Sequence, residues 1–170
     1  MVRHSKDFWS TIRWFTPNEW NDDPSKASAA LVRQLDQIRN LTCSLDDHPS
    51  GVPIHIHVCW ANEGHASNSY HYSGQAVDFH FSAGLLPLEE LLLILSIPEV
   101  GGIGYYPEWH PRPGWHIDRR PYEDPGRLFW VYRSSYGYDY SIGSLARELH
   151  LRTNKGYLED LCCQMKKACL

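Results

Sequence analysis

The chain has 170 residues, of which 42% are hydrophobic and 21% charged, and its formal net charge is -4. That length and apolar fraction suit one folded domain rather than two. The negative balance, with no basic cluster to offset it, argues against broad electrostatic binding to nucleic acid, and no apolar run is long enough to insert in a membrane.

Residues 8 to 22 are rich in tryptophan and phenylalanine without clear periodicity, and are expected to wrap the domain. Asp23-Pro24 reads as a helix start, with aspartate capping and proline in the first helical position. Ala27, Leu31, Leu35 and Ile38 follow at helical spacing, towards an end near Asn40. Asp46, Asp47, Pro49 and Gly51 mark a loop. From Pro53 to Trp60, Ile54, Ile56 and Val58 alternate with His55 and His57, the pattern of a strand. A polar loop, 62 to 68, precedes a second strand from Ala76 to Phe81. There Val77, Phe79 and Phe81 face the core, and Ala76, Asp78 and His80 face the other way.

Pro87 opens a short helix through Leu95. Gly101 to Tyr106, Trp115 to Arg119 and Leu128 to Tyr132 are three more predicted strands, and His116 shares a face with Asp118. Helical patterns run from Ile142 to about Leu151 and from Tyr157 onward. This order predicts an α+β fold: a single domain with an antiparallel sheet and flanking helices. Residues 1–140 form its body and 141–170 a helical extension, with Leu145, Leu149, Leu158 and Leu161 packing on that body.

Five cysteines, Cys43, Cys59, Cys162, Cys163 and Cys169, make no C-x-x-C pair, and an odd count fits a disulfide framework poorly. They read as thiols in a reducing compartment, with the three C-terminal ones as an alternative soft-metal or oxidation-prone site. No apolar signal core is found at the N-terminus, so synthesis in the cytoplasm is expected.

His71, Asp78 and His116 carry the main chemical signal. Two imidazoles and a carboxylate fill three positions of a tetrahedral zinc and leave the fourth for water. Strand alternation lets Asp78 and His116 project from one face, and Gly74 lets the chain fold back so that His71 meets Asp78. With ten histidines in the chain, spacing alone leaves open a metal site or unrelated polar residues. A carboxylate interrupting an apolar strand needs a partner charge or a metal, which favours the site. His55 and His57 form a rival H-x-H pair, expected to face solvent or line the cleft, and His80 is expected to be exposed or supporting.

The stretch Ser69-x-His71-x-x-Gly74-x-Ala76-x-Asp78, followed by Trp115-His116-Ile117-Asp118, resembles the zinc D-alanyl-D-alanine carboxypeptidase family. That family includes D-Ala-D-Ala dipeptidases, phage L-alanyl-D-glutamate endolysins and murein endopeptidases. The loop from Gly64 to Asp78 also resembles the hedgehog signalling domain, which shares the fold. Gly102-Ile103-Gly104-Tyr105-Tyr106-Pro107 and Phe15-Thr16-Pro17-Asn18-Glu19-Trp20 extend the resemblance to roughly residues 14 to 133.

The resemblance implies zinc on His71, Asp78 and His116 and hydrolysis of an amide in a peptidoglycan peptide. With no signal segment found, a monomeric lytic enzyme released to the cell wall in phage lysis is expected. Two departures matter. Many relatives carry a carboxylate three residues before the last zinc histidine, where this chain has Pro113. Glu108, His65 and His110 are the candidate replacements as general base, in that order. Relatives also carry an arginine after the strand equivalent to Pro53–Trp60, where this chain reads Trp60-Ala61-Asn62-Glu63. Arg112, Arg119 or Arg120 are candidates to supply that charge. Tyr70, Tyr72, Tyr105, Tyr106, Trp109 and Trp115 are candidates for an aromatic cleft. The departures leave an alternative: a catalytically inactive zinc-containing binding module, or a phage structural component with the same fold.

Overall fold

The computed structural model describes residues 4–20, 25–45, 48–82, 84–121 and 127–152. The proposed cap at Asp23-Pro24, the loop residues Asp46 and Asp47, the helix from Tyr157, Leu158, Leu161 and the three C-terminal cysteines lie outside them.

Four helices are described: α1 (Lys6–Ser10), α2 (Ala29–Thr42), α3 (Pro87–Leu95) and α4 (Ile142–Arg152). α2 begins later than the proline suggested. The Ser28 side chain accepts a hydrogen bond from the Leu31 amide and caps the helix, a contact worth about 1 kcal/mol. Ala27 therefore precedes the helix, although it is buried with Leu31, Leu35 and Ile38 in the core. In α4, Leu145 and Leu149 are buried, so the extension through that helix belongs to the same core.

Six strands form one open sheet: β1 (Ile54–Val58), β2 (Ala76–Phe81), β3 (Gly102–Tyr106), β4 (Gly114–Asp118), β5 (Leu128–Arg133) and β6 (Gly137–Asp139). Their spatial order is β1-β2-β4-β3-β5-β6. The pairing is antiparallel except for β3 with β5, which is parallel and departs from the expected all-antiparallel sheet. The cause is connectivity. β4 ends at Asp118 opposite Gly102, and β5 begins at Leu128 on the other side of that same glycine. β5 therefore lies on the far side of β3 from β4 and runs parallel to β3.

Val77, Phe79, Ile103, Tyr105, Trp115, Ile117 and Val131 are fully buried and belong to the same core as the α2 and α3 side chains. Burying each large side chain contributes roughly 1.5–3 kcal/mol. Alternation sends Asp78, His80, His116 and Asp118 to the opposite face. Among the described residues no helix is long and apolar enough to cross a membrane.

Candidate metal centre

The turn that carries His71 is built from short-range contacts. The Ser69 side chain accepts from the His71 amide at 3.3 Å and starts a 3-10 turn, Tyr70–Ser73. Gly74 closes it in the left-handed region at φ 68°. A Cβ at Gly74 would fall 1.8 Å from the Lys26 carbonyl oxygen, so both conformation and space demand glycine. The Gly74 carbonyl in turn accepts from the Ser28 amide at 2.7 Å, tying the His71 turn to the cap of α2.

β2 and β4 supply the other two groups. Asp78 and His116 are directly paired across the antiparallel ladder. His71 Nε2 lies 3.2 Å from both Asp78 Oδ1 and His116 Nδ1, and that Nδ1 lies 2.7 Å from Asp78 Oδ1. All three residues are buried, and their ligand atoms lie within 4.8 Å of one another. Tetrahedral zinc with nitrogen and oxygen ligands separates them by about 3.3 Å. Two of the three spacings already match, and the third needs to open by about half an ångström. The donor set fits a zinc-type ion.

The surroundings orient this set unequally. His116 Nε2 lies 3.2 Å from Asp118 Oδ2, so the ring presents Nδ1 to the cluster. Asp118 is also held by the backbone amide and guanidinium of Arg120. Gly102 makes room for this pair, since a Cβ there would lie 2.5 Å from the carboxylate. His71 Nδ1, by contrast, is buried with no hydrogen-bond partner among the described residues.

Burial opposes charge at His116, but its bonds to Asp118 and Asp78 outweigh burial and push its pKa up to about 9. Burial likewise opposes charge on Asp78, yet the two histidines hold its carboxyl far below the usual range. Asp118 is held at about 2, again against burial, by His116 and Arg120. In the protein without metal, a proton on His116 thus balances the carboxylates where a cation fits.

A cleft of about 510 Å³ opens over the cluster, lined by His65, Tyr70, Tyr106, Trp109, Arg120 and Trp130 among others. His65 stacks on His71 with ring centroids 4.4 Å apart. Its main chain is clamped by Tyr72, whose hydroxyl accepts from the His65 amide at 3.0 Å and donates to its carbonyl at 2.7 Å. Burial, with the neighbouring His71, lowers the His65 pKa, so the ring is neutral near pH 7 and able to accept a proton.

The other two base candidates are not brought to the cluster. Glu108, ranked first by sequence, is turned away from it: its carboxylate accepts from the Ser134 amide and hydroxyl and from Arg133. His110 is exposed on the same loop and does not line the cleft. Of the three arginines, Arg120 reaches the cleft, its guanidinium between the Tyr70 and Trp130 rings at 5.3 Å from each. Arg112 instead donates to the Ser82 carbonyl, and Arg119 does not line the cleft.

Trp115 and Tyr105 are core residues, not cleft walls. Sequence reading missed Trp130, Tyr138 and Tyr140, which complete the lining. Trp130 reaches His116, with centroids 5.1 Å apart, by crossing Gly104, where a Cβ would lie 2.3 Å from the indole. The Gly102-x-Gly104 spacing was the one available signal. Tyr138 lies on β6, a three-residue strand too short for alternation to reveal.

His55, His57 and His80 lie on the same sheet face as Asp78. His57 Nε2 is 2.7 Å from His80 Nδ1, and the His55 ring stacks on His80 at 5.0 Å. Burial, then His57, His55 and Arg112, pushes the His80 pKa down to about 4. His80 is buried, not exposed.

No protein-family profile matches the chain, and no curated protein matches it.

Proposed function

We propose that the protein is a zinc-dependent peptidase that hydrolyses an amide bond of a peptidoglycan peptide, with the fold shared by D-alanyl-D-alanine carboxypeptidases and the hedgehog signalling domain. The buried His71–Asp78–His116 set at the floor of an open cleft carries this reading. A zinc ion there would supply Lewis acidity towards a peptide carbonyl and an activated water.

The remaining work falls to the chain's own side chains. His65, neutral and stacked beside His71, takes the proton that water loses on attack. This role passes to His65 because Glu108 is bonded elsewhere. Arg120 donates to a peptide carbonyl or carboxylate from the cleft wall, while Asp118 holds it in place. Tyr70, Tyr106, Trp109 and Trp130 pack against the peptide and exclude water.

One observation favours a second reading, a zinc-containing binding module. Among the described residues, the only carboxylates lining the cleft are Asp78 and Asp118, and both are engaged by histidines. Purified sacculi separate the two readings. The zinc-loaded protein is expected to release new amino termini, and His65→Ala to release about a hundredfold fewer with its zinc retained. Binding to sacculi without release by the wild type would overturn the peptidase and leave the module.

A further inference from the structure

We propose that His57 and His80, with His55 beside them, form a second metal site on the same sheet face, suited to nickel(II) or copper(II).

The three rings converge from two strands. His55 and His80 are directly opposed across β1 and β2, and a register shift between Ile56 and Val58 displaces His57 towards the same partner. The His57 and His80 rings lie 4.8 Å apart and the His55 and His80 rings 5.0 Å apart. Trp109 closes one side, edge-on to His57 at 5.5 Å.

The spacing suits a square-planar ion. Two nitrogens on cis positions of a square-planar ion, with bonds of about 2.0 Å, are about 2.8 Å apart. His57 Nε2 and His80 Nδ1 are 2.7 Å apart, against 3.2 Å for the nitrogens of His71 and His116. The first pair is already near the square-planar value, although 2.7 Å is also the span of its hydrogen bond and recurs between His116 and Asp78. The ligand chemistry agrees: imidazole without carboxylate suits late first-row ions, whose nitrogen affinity peaks at copper. Arg112 lies close enough to act on His80, and its positive charge opposes any cation there, so strong binding to the imidazole nitrogens must outweigh it.

Binding needs little rearrangement. The proton shared by His57 and His80 moves to the other nitrogen of its own ring, so both rings stay neutral and both facing nitrogens become bare. His55 is exposed and stacks on His80; it would have to turn towards the pair to become a third ligand.

The site is tested by nickel titration of the full chain preloaded with one equivalent of zinc. Equilibrium dialysis is expected to show one further equivalent of nickel, with zinc retained. In protein carrying ¹⁵N-labelled histidine, bound nickel, diamagnetic in a square-planar site, shifts the His55, His57 and His80 ring nitrogen signals and leaves those of His4 in place. His57→Ala and His80→Ala lose the nickel but keep the zinc, which also shows that they fold. His71→Ala loses the zinc and keeps the nickel, so this site stands or falls apart from the peptidase reading. No second equivalent, or nickel retained in both the His57 and His80 variants as thiol binding would give, overturns the proposal.

Discussion

Asp118 Oδ2 lies 3.2 Å from His116 Nε2, and this contact decides which nitrogen of the ring faces His71 and Asp78. Asp118 touches no other member of the cluster, so its effect on a metal passes through His116. Asp118→Asn keeps the shape but exchanges a charged acceptor for an amide, which is expected to weaken zinc binding about 10–100-fold. Competition against a chromophoric chelator measures this, and equal affinities for variant and wild type would refute it.

Zinc binding has a predicted pH dependence of definite sign. His116 holds a proton up to about pH 9, and zinc must displace it from Nδ1. Affinity is expected to rise about tenfold per pH unit up to pH 9 and then level off. The metal-free protein behaves oppositely. Its His116 pKa is raised from 6.5, so the stabilisation is complete below 6.5 and lost as pH rises to 9. That loss is about 3 kcal/mol. Chelator competition and denaturant melts across pH 6–9 read the two trends.

Tyr72 positions His65 through both backbone hydrogen bonds and lies off the cleft lining. Tyr72→Phe removes both, each worth about 1 kcal/mol. Turnover on sacculi is expected to fall about tenfold, with zinc content unchanged and the acid limb of the pH profile moved towards the ordinary histidine value. A profile that keeps its wild-type midpoint would show that the clamp does not set the His65 environment.

Glu90 presents a separate pH effect away from the cluster. It is buried on α3 and accepts from Trp115 Nε1 at 2.7 Å. Burial outweighs that bond and raises its pKa from 4.5 to about 7. The folded state therefore favours the protonated form, and stability falls as pH rises from 4.5 to 7. The cost above pH 7 is about 3 kcal/mol. Glu90→Gln keeps an acceptor for Trp115 and is expected to recover most of that cost at pH 8, with no gain at pH 4.5. Urea melts at the two pH values test it, and equal gains at both would rule out titration as the cause.

Much of the scaffold was legible in the residue pattern because it depends on neighbours in sequence. Alternation located β1 and β2 and the sides of β2 and β4 that carry Asp78 and His116, and the strands predicted at 101–106, 115–119 and 128–132 match β3, β4 and β5 to within a residue. Pro87 located α3. The reading failed where a local cue had a stronger competitor, as at α2, where Ser28 caps the helix in place of the proline-led start. It also failed where an element was too short to show a period, as in α1 and β6.

The kinds of side chain available for metal chemistry, and the strand faces that carry them, follow from composition and a two-residue period, which act over a few bonds. Which base candidate reaches the cluster does not. Glu108 ranks ahead of His65 as a loop residue until β5 brings Arg133 and Ser134 against the one and the Tyr72 hydroxyl clamps the other. The placement of β5 beside β3 likewise brings Trp130 beside His116. Such pairings join residues far apart along the chain, and only the folded packing of strands and loops sets the distances that choose among them.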